Sequence, residues 1–433
     1  MRGDERTRCW RVLRWPLVAA LLLLLTCVAS ASPAAPGRVP ATGSSTGPIT
    51  LVTAQDLTGY LQNRLAVWNR AHPAEKVTLI ELPAAADDTQ AQMISNLQAR
   101  SDRYDVLNLD VDWTAQFAAA GWITPLPRQR FPLSSFLPPT VDAATYRGRL
   151  YAVPYVANAG MLFYRKDILA KAHVRPPRTW AELEDAAKTI APRFGLKGYA
   201  SQLSPYEGLT VNYAEAVQSA GGQILGRDGR TVAVDSPAAR SGLSFLVDGV
   251  RQGWIPKASL GFDEEKSRQA FQSGQYLFLR NWPYVYDLAQ AKGSPVAGKV
   301  GVVPLPGATG PGSSSLGGSD LAVSSYSRHP RTAERLIQFM TGVASQRQVL
   351  LAGSLPPARA DLYRDPALVA RFPYLPALRQ SILSARPRPK NPRYDQVSLA
   401  VAQNVYDALI GRRSPDGAAG RLAADLSAIV HGS

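Results

Sequence analysis

Asp105-Val106-Leu107-Asn108-Leu109-Asp110-Val111-Asp112-Trp113-Thr114 reads as a strand that runs directly into a short helix carrying Phe117 and Ala118 and closed by Gly121. The same unit occurs twice before it. Ile49-Thr50-Leu51-Val52 is strand-like, and Leu57, Tyr60, Leu61, Leu65 and Trp68 follow at helical spacing. Lys76-Val77-Thr78-Leu79-Ile80-Glu81-Leu82 is a second strand, stopped by Pro83, with Met93 and Leu97 marking the next helix. A β-α-β-α-β-α series predicts a mostly parallel sheet with helices on both faces, the α/β class.

Downstream the alternation continues. Leu150–Tyr155 and Gly160–Tyr164 read as strands, followed by helices at 180–191 and 209–220, the latter closed by Gly221-Gly222. Ser236-Pro237 opens a helix that runs to about Gly253, and Glu264–Ser273 is another. Tyr276–Leu279 is a strand that delivers Asn281-Trp282-Pro283. Val300–Pro304 and Leu321–Val323 are strands, Thr332–Thr341 and Ser345–Ala352 helices, and 361–428 is mostly helical with a break at Arg386-Pro387-Arg388-Pro389. There is no internal repeat of 20–50 residues.

The N-terminus carries an address. Arg2, Arg6, Arg8, Arg11 and Arg14 precede the apolar run Leu17–Val28 and the small residues Ala29, Ser30 and Ala31, so residues 1–30 read as a secretory signal peptide. Two processing routes stay open. Leu24-Leu25-Thr26-Cys27 resembles, loosely, the lipobox at whose cysteine bacterial lipoproteins are lipidated; the alternative is plain cleavage near Ser30 or Ala31. Residues 31–48, rich in Pro, Gly, Ser, Thr and Ala, form a flexible tether. Either route exports the chain to the outer face of the cell membrane, lipid-anchored or secreted.

Composition excludes several classes. With 45% hydrophobic residues the 433-residue chain has ample material for two or three cores, which rules out a disordered chain or a rod. Both cysteines, Cys9 and Cys27, lie in the leader, so the folded part has no disulfide and no thiolate metal site. The net charge is +15, and removal of residues 1–30, with five Arg against Asp4 and Glu5, lowers it by 3 to +12. The basic residues are spread out, so nucleic acid is not expected as a partner. The four His are scattered, which speaks against a metal centre, and no G-x-S-x-G elbow, Walker loop or post-strand G-x-G-x-x-G occurs. No cofactor is expected and no catalytic residue is assigned. A secreted carbohydrate-active enzyme stays open as an alternative, because a glycosidase needs only two suitably spaced carboxylates.

Ligands of open α/β sheets bind outside the carboxyl ends of the strands. Asp110, Asp112 and Trp113 stand at such an end, Asn158 follows the Tyr151–Tyr155 stretch, and Trp282 follows Tyr276–Leu279. Carboxylates, amides and flat aromatic rings together suit a sugar. Each has a plain structural reading as well: Asp112 reads first as the cap of the following helix, Trp113 equally as core, Asn158 as a turn residue, and Trp282 as a plug between elements.

These segments, in order, resemble a family 1 extracellular solute-binding protein of an ABC sugar importer, closest in pattern to the trehalose/maltose-type binding lipoproteins of actinobacteria. The resemblance spans nearly all of 49–410. It rests on Asp105–Thr114, Tyr151–Pro154 through Asn158 to Arg165, Phe271–Gly274 leading to Asn281-Trp282-Pro283, Gly317–Val323, Leu355–Arg359, and Arg388-Pro389 with Pro392 and Tyr394. It implies a two-lobed periplasmic-binding-protein (type II) fold with a hinge between the lobes. Residues 49–155 and 305–355 would form the N-lobe, and 158–300 and 361–433 the C-lobe. It implies ligand contacts at Asp110, Asn158, Glu264, Trp282, Gly318 and Arg388, with Glu207 and Asp56 as further contacts. Asp110 and Arg388 would bond glucose hydroxyls and Trp282 would stack. Two departures stand out: Asp112, where relatives often carry an apolar residue, places a further carboxylate near the crevice, and Asn391 replaces a common Thr with little expected effect. The resemblance further implies a monomeric receptor that closes on an α-glucoside, trehalose first and maltose or maltodextrin next. It would hand the sugar to permease subunits driven by a cytoplasmic ATPase. A receptor for a non-sugar ligand is the other alternative.

Overall fold

The computed structural model describes residues 45–56 and 58–432. The signal peptide, Cys27 and the tether up to residue 44 lie outside the described residues. At the tether's end Gly47 is buried, and its N–H donates to Thr332 Oγ1 at 3.1 Å, so the chain is docked before the first strand begins.

The three opening strands form side by side. β1 (Ile49–Ala54) pairs in parallel with both β2 (Val77–Leu82) and β3 (Val106–Asp110). Helices Tyr60–Ala71 and Ala86–Gln98 make the crossovers and bury Leu61, Leu65, Trp68, Met93 and Leu97. A two-strand ribbon, β4 (Thr145–Tyr146) and β5 (Arg149–Leu150), turns at Arg147-Gly148, both at positive φ. Next come β6 (Ala152–Ala159), β7 (Met161–Arg165), β8 (Lys197–Ala200), β9 (Tyr276–Asn281), β10 (Val300–Pro304) and β11 (Leu316–Val323).

These strands build two mixed sheets, ordered β2-β1-β3-β11-β6 and β10-β7-β9-β8. The expectation of a mostly parallel sheet holds for β1 to β3 and for the β8–β9 pair, but β11 runs antiparallel to both β3 and β6. The reason is the route of the chain. β11 arrives from the other sheet and not over a crossover helix, so nothing forces it parallel. Side chains of the second sheet divide between two cores. Met161, Phe163 and Leu279 face the core shared with the first sheet, while Leu162 and Phe278 face a second core built with helices Glu207–Ser219 and Pro237–Gln252. Ser236 caps the latter helix by accepting from the Ala239 N–H at 3.3 Å, and Gly253 ends it at φ 81°.

The chain passes between the sheets three times: at Gly160, between β10 and β11, and between helices Leu375–Ser384 and Tyr394–Leu409. The last two passages lie side by side, with Ser315 bridged to Arg386. The stretch 361–433, expected in one lobe, divides. Leu368, Leu375, Leu378 and Ile382 join the first core, whereas Val401, Val405, Leu422 and Leu426 join the second. Each helix follows the core its apolar stripe faces, and the break at 386–389 is where the allegiance changes.

Candidate ligand-binding site

Asp110 closes β3, and the backbone turns immediately: the Trp113 N–H donates to the Asp110 carbonyl at 3.0 Å, and the Asp112 N–H to Asp110 Oδ1 at 3.2 Å. Glu207 is the first residue of helix Glu207–Ser219, and its own N–H donates to Asp87 Oδ1 at 3.2 Å. Arg388 arrives on the third passage. Its Nη2 donates to Asp110 Oδ1 at 2.8 Å and pairs with Asp112 Oδ2; its Nη1 donates to Glu207 Oε1. Tyr394 donates its hydroxyl to Glu207 Oε1 at 2.6 Å, and Ser398 donates to Oε2. One guanidinium thus holds three carboxylates drawn from both parts of the fold.

The cluster is dry except at one point. The Arg388 side chain is 1% exposed and that of Asp110 25% exposed, so Asp110 is where the cluster reaches the surface. Burial pushes the Asp112 carboxyl well above the usual range, with Arg388 pulling it down and Asp110 and Glu207 pushing it up. Burial also raises Glu207, against the pull of Arg388, Ser398 and Tyr394. For Arg388 burial opposes the charge, yet the surrounding carboxylates outweigh it and keep the guanidinium protonated.

A second group sits along the start of β11. Gly317 faces Asn158 across the β11–β6 ladder, and a Cβ on Gly317 would stand 2.7 Å from the Trp282 ring, so the indole lies against bare backbone. Gly318 has φ +113°, and a Cβ there would meet the Val156 carbonyl oxygen at 2.0 Å; only glycine fits. Ser319 pairs with Asp110. The first four residues of β11 therefore connect Trp282 and Asn158 to the Arg388 cluster. Glu264 joins through its backbone, its carbonyl accepting from Asn281 Nδ2 at 3.0 Å, while Tyr206 donates to its Oε2 at 2.5 Å. Burial raises the Glu264 carboxyl, and that bond partly lowers it.

The structure brings together Asp110, Asp112, Glu207 and Arg388, and separately Asn158, Glu264, Trp282 and Gly318. Asp112 does not cap the following helix: the helix begins at Thr114 with no side-chain cap, and the carboxylate turns to Arg388, the stronger electrostatic partner. Trp113 is 4% exposed and stacks on Phe117 at 6.2 Å in the core, so it offers no ligand a face. Asp56 is spent locally, accepting from the Thr58 and Leu61 N–H groups at 2.9 and 2.7 Å at the start of helix Tyr60–Ala71. Asn391 does more than expected: it is buried, and its Nδ2 donates to the Gly229 carbonyl at 2.7 Å.

Sequence reasoning missed Ser398 and Tyr206, whose hydroxyls orient Glu207 and Glu264, and it missed a buried ion pair between Glu215 and Arg280. A charge directly after an apolar run within one strand, Leu277-Phe278-Leu279-Arg280, was the available signal for the last. A separate cleft of about 880 Å³, lined in part by Arg175, Pro177, Val303 and Ser381, contains none of these residues. Among the described residues no group of three His, Cys, Asp or Glu is arranged to hold a metal ion, and no helix is long and apolar enough to cross a membrane. Chemically, the arrangement offers paired hydrogen-bonding charges beside a flat aromatic face.

Comparison with known proteins places the fold among solute-binding proteins. The family described as bacterial extracellular solute-binding protein matches residues 54–347. A protein of Deinococcus radiodurans, described as a probable ABC transporter-binding protein, is 33% identical over 367 residues, covering 82% of this chain and 86% of its own. The maltose-bound MalE3 of T. maritima is 33% identical and superposes with a TM-score of 0.84, covering 89% of this chain and 100% of that one. The GacH receptor of Streptomyces glaucescens, solved unliganded and with acarbose, is 25% identical with a TM-score of 0.80, covering 90% and 99%.

Proposed function

The chain belongs to the bacterial extracellular solute-binding protein family, and from that premise we propose that it is the receptor of an ABC sugar importer that captures an α-glucoside disaccharide, trehalose first and maltose or a short maltodextrin next. The observation that carries this reading is Arg388, enclosed by Asp110 and Asp112 on one side of the fold and Glu207 on the other. Such a cluster offers sugar hydroxyls the acceptor oxygens of Asp110, the member open to solvent and oriented by Arg388, with the Trp282 ring as a platform for the apolar face of a pyranose. The maltose held by the Thermotoga relative supports a sugar of this size.

Sugar enters between the lobes, contacts one of them, and the other closes to complete the hydrogen bonds. The closed form is then recognised by the permease subunits, whose cytoplasmic ATPase drives transport. The receptor works outside the cytoplasm as a monomer, either secreted or anchored through lipid on Cys27. The matching family and the Deinococcus relative are both described as binding proteins, and no catalytic step is assigned. Thermal unfolding in the presence of trehalose, maltose, maltotriose, sucrose, glucose and mannitol tests the reading. A ligand at 100 times its Kd stabilises the fold by about 2.7 kcal/mol, so the cargo stands out as the one large upward shift. A shift with mannitol alone would replace the disaccharide by a polyol.

A further inference from the structure

Arg280 ends the apolar run of β9 with a side chain 1% exposed, and Glu215, 5% exposed, meets it from helix Glu207–Ser219. Two parallel bonds join them, Nε to Oε2 and Nη2 to Oε1, each 2.7 Å long. Nη1 donates to Gln202 Oε1 at 3.2 Å. The guanidinium carbon lies 4.1 Å from the centroid of the Trp282 ring, the same ring that rests on Gly317.

Glu215 reaches further. Its Oε1 also accepts from Ser314 Oγ at 3.1 Å and from the Ser315 N–H at 3.3 Å, both on the passage between β10 and β11. Ser314 Oγ accepts in turn from the Gly160 N–H at 2.5 Å, on the passage between β6 and β7. A Cβ on Gly160 would stand 2.3 Å from Glu215 Oε1 and 2.6 Å from Arg280 Nη2, so these groups fill the space a side chain would need. Stability alone is a weak reason for such a pair, because an apolar pair of similar size is often as stable or more so. What an apolar pair lacks is the set of directed bonds to two inter-lobe passages and the cationic face under the indole.

Resting on the reading of Trp282 as the sugar platform, we propose that Arg280 is a positioning residue that holds the Trp282 ring and, through Glu215, ties it to the passages at Gly160 and Ser314–Ser315, so that sugar capture and lobe closure are coupled. A change of lobe angle alters the bonds to Glu215, and with them the guanidinium that supports the ring.

The test pairs Glu215→Gln/Arg280→Met, which removes both charges together, with Trp282→Ala in a double-mutant cycle on trehalose and maltose affinity. The charge-pair variant is expected to bind about tenfold more weakly than the parent. Adding Trp282→Ala to it should cost far less than Trp282→Ala costs in the parent. Additive losses would overturn the proposal. A sugar-free arm separates this proposal from the sugar reading: the near-UV circular dichroism of Trp282, taken as parent minus Trp282→Phe, should lose its intensity in the charge-pair variant. Arg280→Lys, which leaves Glu215 paired but removes the planar cation, should lose it too. An unchanged band in either variant contradicts the positioning role. A lost band in a protein that binds neither sugar would overturn the sugar reading and leave the positioning role standing.

Discussion

Arg388 Nη2 donates to Asp110 Oδ1 at 2.8 Å across a separation of 278 residues, and the same nitrogen pairs with Asp112 while Nη1 takes Glu207. A segment near the C-terminus thereby pairs with carboxylates from the end of an early strand and the start of a mid-chain helix. The charge balance of the cluster and the joining of both parts of the fold meet in one side chain.

Removing it should therefore damage more than binding. Arg388→Met leaves three carboxylates facing one another in a dry place, a loss of about 3–5 kcal/mol of stability at neutral pH. Burial already holds Asp112 and Glu207 above the usual range, so they take up protons readily once the guanidinium is gone. The loss should be smaller at pH 5 than at pH 8 in urea unfolding. An equal or larger loss at pH 5 would mean that the cluster is not organised by charge.

Asp320 gives a cleaner titration. It is 0% exposed, and no hydrogen bond of good geometry reaches either oxygen. Burial first, then Asp110, pushes its carboxyl well above the ordinary value. A folded value raised above the unfolded one means that the group's contribution is fully present below the unfolded pKa and is lost as pH rises through the folded pKa. Parent stability should thus fall relative to Asp320→Asn as pH rises above about 4, by up to about 1.4 kcal/mol per pH unit. Denaturant unfolding of both proteins from pH 4 to 8 checks it; parallel curves would place Asp320 in a polar or wet environment.

Gly318 carries a backbone prediction. Gly318→Ala forces a side chain into φ +113° and against the Val156 carbonyl oxygen. The conformation alone costs about 1–3 kcal/mol, before the clash is counted. Gly310→Ala, with open space around it and no positive φ, should stay within about 0.5 kcal/mol of the parent in the same unfolding assay.

The two tryptophans near the sheet ends should part company. Trp282→Ala should weaken sugar binding by about tenfold or more, as loss of an aromatic anchor does. Trp113→Phe, in the core beside Phe117, should leave affinity within about twofold while lowering the melting temperature. Equal effects on affinity in calorimetry would show that Trp282 is not the platform.

Much of this architecture is written locally. The strands at 49, 77 and 106, the helix opened by Ser236 and closed by Gly253, and the break at 386–389 follow from apolar period, capping residues and proline, all of which act within a few residues. β11 shows the limit. Leu321–Val323 reads as a strand, but the strand begins at Leu316, because Gly317 and Gly318 carry no side chain to register a period and are there to admit Trp282 and the Val156 carbonyl. The site divides in the same way. Asp110, Trp282 and Arg388 stand beside breaks in pattern and are visible as such. The turn of Asp112 toward Arg388, the local use of Asp56, and the Glu215–Arg280 pair depend on which distant segments meet, which periodicity does not encode.

The most direct test is calorimetric titration of residues 31–433 with trehalose and maltose, with the same mixtures assayed for released glucose. Saturable one-site heat in the micromolar range, about −8 kcal/mol, with no glucose formed, is the predicted result. No heat from any sugar, or release of glucose by the pure protein, would contradict a sugar-capturing receptor.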